Sequence, residues 1–376
     1  MNYCIFGLGN VGSNVFKLLK LKKIKTFSKN NRFNCNLKFN YKKYEKLFKF
    51  NNLFIELIGG INIPFEIIIN SILFKNIFIT ANKDLISKYI FFFYFYFNKI
   101  NKKIFFEASV CGSLPIINLI NNFYSKELIF YFLGVLNGTC NYILTNIKKK
   151  KFIKLIFSSI KKGFSEKNYE KDILGLDTIF KFSILISKIN YYYINFKYIY
   201  SESIFNLFNY LRKFFFEKKY LSFYLNINNY IFINISLFLT KNIYFLKNKN
   251  SYNCLLINCK NSKKNFFSSL GAGGLSTSTS VLNDYNQSFK KNTFCIKKCF
   301  VKKKKIINKN FLCFNYLIKI KFNYNIFYFL FNLKIKIIKL FYKKYSIIKI
   351  KKTFYKKILF FLYFLNKKKF FLYKLL

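Results

Sequence analysis

An aspartate and a lysine four positions apart are the side chains best placed to move a proton. Asp177 and Lys181 lie in a segment whose apolar spacing predicts a buried helix, and positions i and i+4 share one helix face. An ordinary helical ion pair has the same spacing. Chemistry is favoured because the 376-residue chain has no histidine, so a general acid has to be a lysine, tyrosine, cysteine or carboxylic acid. A lysine desolvated beside a carboxylate can donate that proton.

Three glycines near the start of the chain form a Gly-x-Gly-x-x-Gly pattern between an apolar strand and a helix. Gly7 allows a tight turn, Gly9 lets a pyrophosphate approach the backbone, and Gly12 lets the helix pack closely on the strand. The helix N-terminus then faces the phosphates. A purely structural glycine turn is the alternative, but this placement favours dinucleotide binding.

The residues after this motif favour NADP over NAD. In NAD-binding domains an acidic residue about 20 positions further on binds the ribose 2′-hydroxyl. No acid occurs here before Glu45, whereas Ser28, Lys29 and Arg32 lie near the expected position. These residues suit a 2′-phosphate, although lysine is a weak indicator in a chain so rich in lysine.

Two other segments rich in small residues have both a structural and a functional interpretation. Residues 107–115 are either a tight strand-to-helix turn or a loop whose carbonyls face a ligand or a hard cation. Residues 271–274 are either a low-complexity linker or a glycine-rich entry to a helix, with amides that meet a phosphate or the nicotinamide amide.

Composition indicates an AT-biased genome. All 13 glycines, both prolines and the three alanines fall in a few short motifs, while most other positions are Phe, Ile, Lys, Asn, Tyr, Leu or Ser. Positions that kept Gly, Ala or Pro therefore mark demanding geometry or chemistry. The scarce acids give the same message, because four of the thirteen fall within residues 163–181.

The net charge of +53 would ordinarily indicate nucleic acid or an anionic membrane. We discount both partners. Only Arg32 and Arg212 are arginines, the residue preferred for base contacts, and the lysines are scattered along the chain.

The longest uncharged stretch, residues 220–240, contains four asparagines that are costly in lipid, so we predict buried sheet or helix there. Nine scattered cysteines and a start without a signal peptide predict a cytoplasmic protein.

Short apolar strands alternate with helices up to about residue 115, which predicts an α/β fold with a parallel sheet. Within it we expect Pro64 to open a helix and a further helix to span residues 84–89. Longer helices and later strands follow, then a returning helix after the second glycine-rich segment.

Taken together, these segments resemble the homoserine dehydrogenase family. The matching stretches occur in the family's order over about residues 1–290, and they are residues 6–12, 56–60, 80–83, 107–115, 134–144, 163–166, 172–181 and 271–275.

The resemblance implies reversible NAD(P)H-dependent reduction of L-aspartate 4-semialdehyde to L-homoserine, on the route to threonine, methionine and isoleucine. Lys181 would give a proton to the aldehyde oxygen, Asp177 would orient it and help hold the substrate, and Glu166 would bind the substrate ammonium. Lys83 would lie at the cofactor–substrate junction as a further catalytic residue. The implied cofactor-binding residues are Gly7, Gly9, Asn10, Val11, Gly12, Thr80, Lys83, Gly163 and Gly271, in addition to Lys29 and Arg32.

The family also implies a sodium ion, a homodimer and a division of the chain. The sodium would be held by the backbone carbonyls of Glu107, Val110, Gly112 and Leu114. The division is a Rossmann dinucleotide-binding domain over residues 1–115, an α+β catalytic and dimerisation domain over 116–270, and a returning segment over 271–291 that packs on the nucleotide domain. Residues 292–376 would be a degenerate ACT-like tail, since they lack the glycines used to bind an effector, and we expect no feedback control.

Some positions depart from the family pattern, notably Cys111, Cys140 and Ser276, and they put local loop geometry in question. Two alternatives remain. A decayed, non-catalytic relative that keeps nucleotide binding, with or without basic RNA-binding character, would have lost Glu166, Asp177 or Lys181. A Rossmann dehydrogenase acting on a hydroxy acid would have no reason to carry residues 107–115 or 137–144.

Overall fold

The chain is described by a computed structural model. The residues it describes are 3–19, 24–27, 41–165, 168–205, 217–227, 230–240 and 242–290, with the strands at 305–307, 313–321, 337–341, 345–354 and 371–375.

A five-stranded parallel sheet carries the Gly-x-Gly-x-x-Gly turn. Its strands are β1 (Tyr3–Phe6), β2 (Ile24–Phe27), β3 (Leu53–Glu56), β4 (Ile77–Thr80) and β5 (Ile104–Phe105). They pair in the order β2-β1-β3-β4-β5, so the strand order reverses between β1 and β3. Ligands of such sheets bind at that reversal, beyond the carboxyl ends of the strands. The α/β fold with a parallel sheet is confirmed.

Four helices accompany this sheet. They are α1 (Asn10–Leu19), α2 (Tyr41–Phe50), α3 (Asn62–Leu73) and α4 (Lys83–Lys99). The predicted start of α3 at Pro64 is two residues late, since a proline is tolerated anywhere in the first turn, where the amides lack helical partners.

Helix α4 is much longer than the predicted 84–89 because its phenylalanine-rich half is amphipathic in space. Phe93 and Phe97 are buried, whereas Phe92 and Phe95 are exposed. In sequence this half reads as one continuous aromatic run, so the helical period is hidden.

A second sheet lies further along the chain. Its first strands are β6 (Ile129–Val135), β7 (Glu217–Ile227), β8 (Tyr230–Thr240), β9 (Tyr252–Cys259) and β10 (Lys263–Leu270), paired antiparallel in the order β10-β9-β6-β7-β8. The uncharged stretch 220–240 forms the β7–β8 pair, so the sheet alternative was right. Within the described ranges, no helix is long and apolar enough to cross a membrane.

The helices of this half position the side chains discussed below. They are α5 (Ile116–Asn118), α6 (Gly138–Asn146), α7 (Phe152–Lys161), α8 (Glu170–Ile173), α9 (Leu176–Asn190), α10 (Ile243–Lys247) and α11 (Gly274–Ser288). Short 3-10 turns occur at Glu107–Ser109 and Phe196–Tyr198, and a π-helical turn at Leu119–Phe123.

Five strands from the end of the chain extend the second sheet. They are β11 (Lys305–Ile307), β12 (Cys313–Lys321), β13 (Ile337–Phe341), β14 (Tyr345–Phe354) and β15 (Phe371–Leu375). β11 and β15 each pair in parallel with β8, and β12, β13 and β14 continue from β15 in antiparallel pairs.

Candidate active site

The glycine turn after β1 has the geometry that its motif predicts. Gly7 has a φ of +97°, and a Cβ there would lie 2.6 Å from the backbone of Leu57. A Cβ on Gly12 would lie 1.9 Å from the carbonyl oxygen of Gly7, so α1 packs directly on the turn. Gly9 differs, because no atom of the described residues, other than its chain neighbours, lies within 4 Å of the place its Cβ would take. The exposed side of Gly9 therefore has room for a pyrophosphate.

Substitution of Gly9 should separate cofactor binding from folding. In Gly9→Ala the new methyl group meets no other part of the described structure, so we expect the melting temperature without cofactor to stay within about 2 °C of the parent. The methyl would occupy the space beside the turn, so the Kd for NADPH should rise at least about tenfold, a cost of about 1.4 kcal/mol. Gly12→Ala is the contrast, since its clash with Gly7 should lower the melting temperature as well. Unchanged NADPH affinity in Gly9→Ala would place the dinucleotide elsewhere.

The second glycine-rich segment returns to this turn. A Cβ on Gly274 would lie 2.5 Å from the Oδ1 atom of Asn10, at the start of α1. A Cβ on Gly112 would lie 2.5 Å from the carbonyl oxygen of Leu270, and the Ser113 amide donates to that oxygen at 3.3 Å. Three of the segments singled out in sequence therefore meet at the carboxyl end of β1.

A buried glutamate at the end of β3 holds the neighbouring loops. Glu56 Oε1 accepts hydrogen bonds from the Ile58 and Gly59 amides, and Oε2 accepts one from the Thr80 hydroxyl at 2.6 Å. The Thr80 hydroxyl in turn accepts from the Asn82 amide at 2.9 Å, and the Asn82 side chain caps α4. Burial raises the pKa of Glu56, and these hydrogen bonds oppose the rise. The network fixes where α4 starts, and hence where Lys83 stands.

Asp177 forms ion pairs with two lysines from different helices. Its Oδ1 lies 2.7 Å from Lys83 Nζ of α4, and its Oδ2 lies 2.9 Å from Lys181 Nζ, one turn further along α9. The Asp177 side chain is 5% exposed, against 13% for Lys181 and 30% for Lys83. The predicted i, i+4 pair thus forms, and the structure adds a second cation to it.

A third element fixes the orientation of this cluster. Lys181 Nζ also donates to the Leu136 carbonyl oxygen at 3.2 Å. The next residue, Asn137, caps α6 with its Oδ1 atom and donates from Nδ2 to Asp177 Oδ2 at 2.9 Å and to Asp172 Oδ1 at 2.8 Å. The β6–α6 junction therefore positions both the ammonium and the carboxylates.

The two aspartates differ in their electrostatics. Burial alone would raise the pKa of Asp177, but the Lys181 and Lys83 ammonium groups outweigh it and hold that pKa well below its usual range. Burial and the charge of Asp177 raise the pKa of Asp172, against hydrogen bonds from Asn137 and Ser165. Neighbouring acids whose pKa values are pushed apart take different roles. Asp177 remains the permanent anion, and Asp172 is the acid that a further cation would stabilise.

Gly175 is the residue that lets α9 begin where it does. Its φ is +84°, and a Cβ there would lie 2.1 Å from Ser201 Oγ and 2.2 Å from Tyr220 Oη. Any larger residue would displace the first turn of α9, which carries Asp177.

The loop proposed to hold sodium is buried and partly committed to other hydrogen bonds. The carbonyl oxygens of Glu107, Gly112 and Leu114 accept from the Val110 amide, the Ser280 hydroxyl and the Ile116 amide, respectively. Each carbonyl oxygen has two lone pairs, so one acceptor position remains on each. No group of three His, Cys, Asp or Glu side chains in the described ranges could hold a metal. A cation here would depend on main-chain oxygens.

The remaining predicted residues are placed as follows. Gly271 is buried, with its amide donating to the Ser251 carbonyl oxygen at 3.0 Å, and Gly163 is exposed at the turn that ends α7. Val11 lies in the first turn of α1. Glu166, Lys29 and Arg32 lie outside the described residues. The two unusual cysteines, Cys111 and Cys140, are fully buried free thiols whose pKa burial raises, so they act as small packing residues.

Comparison with known sequences finds similar proteins for the segment that contains this cluster. The homoserine dehydrogenase family model matches residues 115–285. A homoserine dehydrogenase of Helicobacter pylori is 35% identical over 138 residues, and one of Bacillus subtilis is 33% identical over 133 residues. These alignments cover 36% and 35% of this chain and 32% and 31% of the relatives, so the matched segment spans about a third of their length.

Comparison of structures shows the same fold over the whole chain. A homoserine dehydrogenase of Thiobacillus denitrificans has a TM-score of 0.87 at 19% identity, covering 100% of this chain and 98% of that one. One of S. aureus has a TM-score of 0.72 at 19% identity, with the same coverage. Residues 115–285 are similar to the homoserine dehydrogenases, and the chain shares their fold. The family resemblance expected from the sequence is confirmed, and the segment that matches homoserine dehydrogenases contains Asn137, Asp172, Asp177 and Lys181.

Three positions in this cluster had no role assigned from sequence. Glu56, Asn137 and Asp172 lie in the stretches that resemble homoserine dehydrogenases, but spacing does not show which of their neighbours they bind. The one available signal was chemical. Acids are rare in this chain, so Glu56 and Asp172 are candidates for specific partners, whereas asparagine is common and gives no such signal for Asn137.

Proposed function

We propose that this chain catalyses the reversible NAD(P)H-dependent reduction of L-aspartate 4-semialdehyde to L-homoserine. The observation that carries the proposal is the buried Asp177 carboxylate, which holds the Lys181 and Lys83 ammonium groups 2.9 Å and 2.7 Å away. Two oriented cations beside a dinucleotide turn suit an aldehyde whose oxygen becomes negative.

Lys181 is the proposed proton donor. An ammonium has three N–H groups, and two of them point at Asp177 Oδ2 and the Leu136 carbonyl oxygen. Within the described residues the third has no hydrogen-bond acceptor, so it is the one to meet the aldehyde oxygen. The reduced nicotinamide would supply the hydride when bound. Proton donation from Lys181 then neutralises the alkoxide, and Asp177 keeps the amine aimed at it.

The other substrate contacts follow from the surrounding charges. Lys83, held by Asp177 at the start of α4, stands between the dinucleotide turn and the substrate. We propose that Glu166 binds the substrate ammonium and that Asp172, whose pKa burial and Asp177 raise, supports it. A bound ammonium would favour the charged form of Asp172.

The open side of Gly9 and the start of α1 fit a dinucleotide. We propose that it is held by Gly7, Gly9, Asn10, Val11, Gly12, Thr80, Lys83, Gly163 and Gly271, and that Lys29 and Arg32 make NADP the preferred form. We further propose a sodium ion on the carbonyls of Glu107, Val110, Gly112 and Leu114, a homodimer in the cytoplasm, a role in threonine, methionine and isoleucine synthesis, and a degenerate ACT-like remnant at 292–376.

A direct assay tests the reaction. Purified chain with L-aspartate 4-semialdehyde and NADPH should lose absorbance at the reduced nicotinamide band and accumulate L-homoserine, and L-homoserine with NADP should run the reaction backwards. NADPH binding without turnover on this aldehyde would instead support the decayed, non-catalytic relative.

A further inference from the structure

A buried lysine outside the proposed catalytic cluster connects the turn at Gly271 with helix α6. Lys219 lies on β7 and is 1% exposed, among the largest fully buried side chains of the described residues. Its Nζ donates to Asn141 Oδ1 at 2.8 Å and to the carbonyl oxygen of Asn248. Both of these partners are neutral oxygens, so the ammonium serves as a hydrogen-bond donor at a junction of several elements.

Those two asparagines clamp a turn between α10 and β9. Asn141 Nδ2 donates to the carbonyl oxygens of Asn248 and Tyr252, at 3.2 Å and 3.0 Å. Asn248 Nδ2 also donates to the Tyr252 carbonyl oxygen at 3.2 Å, and its Oδ1 accepts from Ser268 Oγ at 2.9 Å. The Asn248 carbonyl oxygen thus receives donors from both Asn141 and Lys219. The turn cannot shift without breaking contacts to the ammonium.

The turn held by Asn141 and Asn248 supports Gly271 through a hydrogen bond. The Ser251 carbonyl oxygen accepts from the Gly271 amide at 3.0 Å, and the same oxygen would lie 2.6 Å from a Cβ on Gly138. Gly271 and Gly138, the first residue of α6, therefore both lie against the Ser251 carbonyl oxygen.

Asn141 also connects Lys219 to the proposed catalytic cluster. Asn141 lies one turn along α6 from Asn137, and its amide donates to the Asn137 carbonyl oxygen at 3.1 Å. Asn137 is the residue that donates to both Asp172 and Asp177. One buried ammonium therefore sets the positions of the Gly271 turn and of the helix that orients the two aspartates.

We propose that Lys219 is a positioning residue that holds the Gly271 turn and the α6 N-terminus in the arrangement required for cofactor binding and proton transfer. The proposal rests on the proposed function for the identity of the cofactor. It assigns Lys219 no contact with the substrate or the dinucleotide.

The test measures NADPH affinity by fluorescence titration, which needs no turnover. Lys219→Met removes the ammonium and keeps an apolar chain of similar length, and we expect at least a tenfold higher Kd for NADPH together with a lower kcat. Lys218→Met is the matched control, since Lys218 is 3% exposed on the same strand and points to the opposite face. Its Kd should stay within twofold of the parent. A Kd for Lys219→Met within twofold of the parent overturns the proposal.

A second variant separates positioning from folding. Lys219→Met leaves Asn141 Oδ1 and the Asn248 carbonyl oxygen buried with fewer donors, which destabilises the fold. Lys219→Gln keeps an N–H donor on a shorter side chain, so it should recover part of the melting temperature while the Kd for NADPH stays raised, because one amide cannot hold both Asn141 Oδ1 and the Asn248 carbonyl oxygen. A folded Lys219→Gln variant with parental affinity overturns the proposal, as does failure of both variants to fold. Parental chain that binds NADPH but does not reduce the aldehyde would contradict the proposed function alone.

Discussion

Lys181→Met is expected to lower kcat by at least about a thousandfold while the Kd for NADPH changes less than about threefold. General acid catalysis contributes about 10²–10⁴ to rate, and the chain has no histidine to replace the missing donor. Loss of the amine also leaves Asp177 with one counter-charge instead of two. Single-turnover absorbance changes and fluorescence titration measure the two quantities separately.

The matched control lies on the same helix. Lys188 is 5% exposed on α9, and its Nζ donates to Tyr94 Oη at 2.9 Å. Lys188→Met removes a buried amine from the same helix without touching the Asp177 cluster, and its kcat should stay within about threefold of the parent. A Lys181→Met chain that keeps most of its kcat would show that the proton comes from another group.

Features set by neighbours in sequence were predictable from the residues. The turn at Gly7, Gly9 and Gly12 follows from three backbone requirements within six residues, and the Asp177–Lys181 pair follows from helical spacing. Both predicted geometries are present. The strongly biased composition helped, because retained glycines and acids stand out against it.

Features that depend on distant neighbours were not predictable. Lys83 meets Asp177 across 94 positions, 177 − 83, and Asn137 meets it across 40. These contacts exist because the tertiary fold packs α4 against α9 and brings the β6–α6 junction to the same place, which no local period encodes. The sequence predicted too short a helix α4 for a related reason, since the tertiary fold decides that Phe93 is buried and Phe92 is exposed.

Several buried polar groups of the described residues have partners that fix their positions. Apolar positions of the described core are largely phenylalanine, isoleucine and leucine, which pack by volume and tolerate exchange. Glu56, Asn137 and Lys219 are different, because each satisfies several fixed partners and its loss would leave them unpaired. In a chain of such biased composition, these polar residues and the glycines fix the geometry of the site.

Asp177→Asn is expected to lower kcat/KM at least about a hundredfold and to destabilise the fold by about 3 kcal/mol at pH 7. The amide keeps the shape but leaves the Lys83 and Lys181 ammonium groups without the anion they share. Because the pKa of Asp177 is depressed in the folded chain, its ion pairs stabilise above the unfolded value near 3.9, and that contribution is lost as pH falls through the lower folded value. Denaturant unfolding should therefore show the stabilities of parent and variant converging as the pH falls below about 4.

Asp84→Asn is the control. The Asp84–Lys171 pair spans 3.1 Å at a half-exposed lysine, so its loss should cost less than about 1 kcal/mol of folding free energy. Equal effects of the two substitutions would mean that Asp177 is an ordinary surface partner and not the anchor of the site.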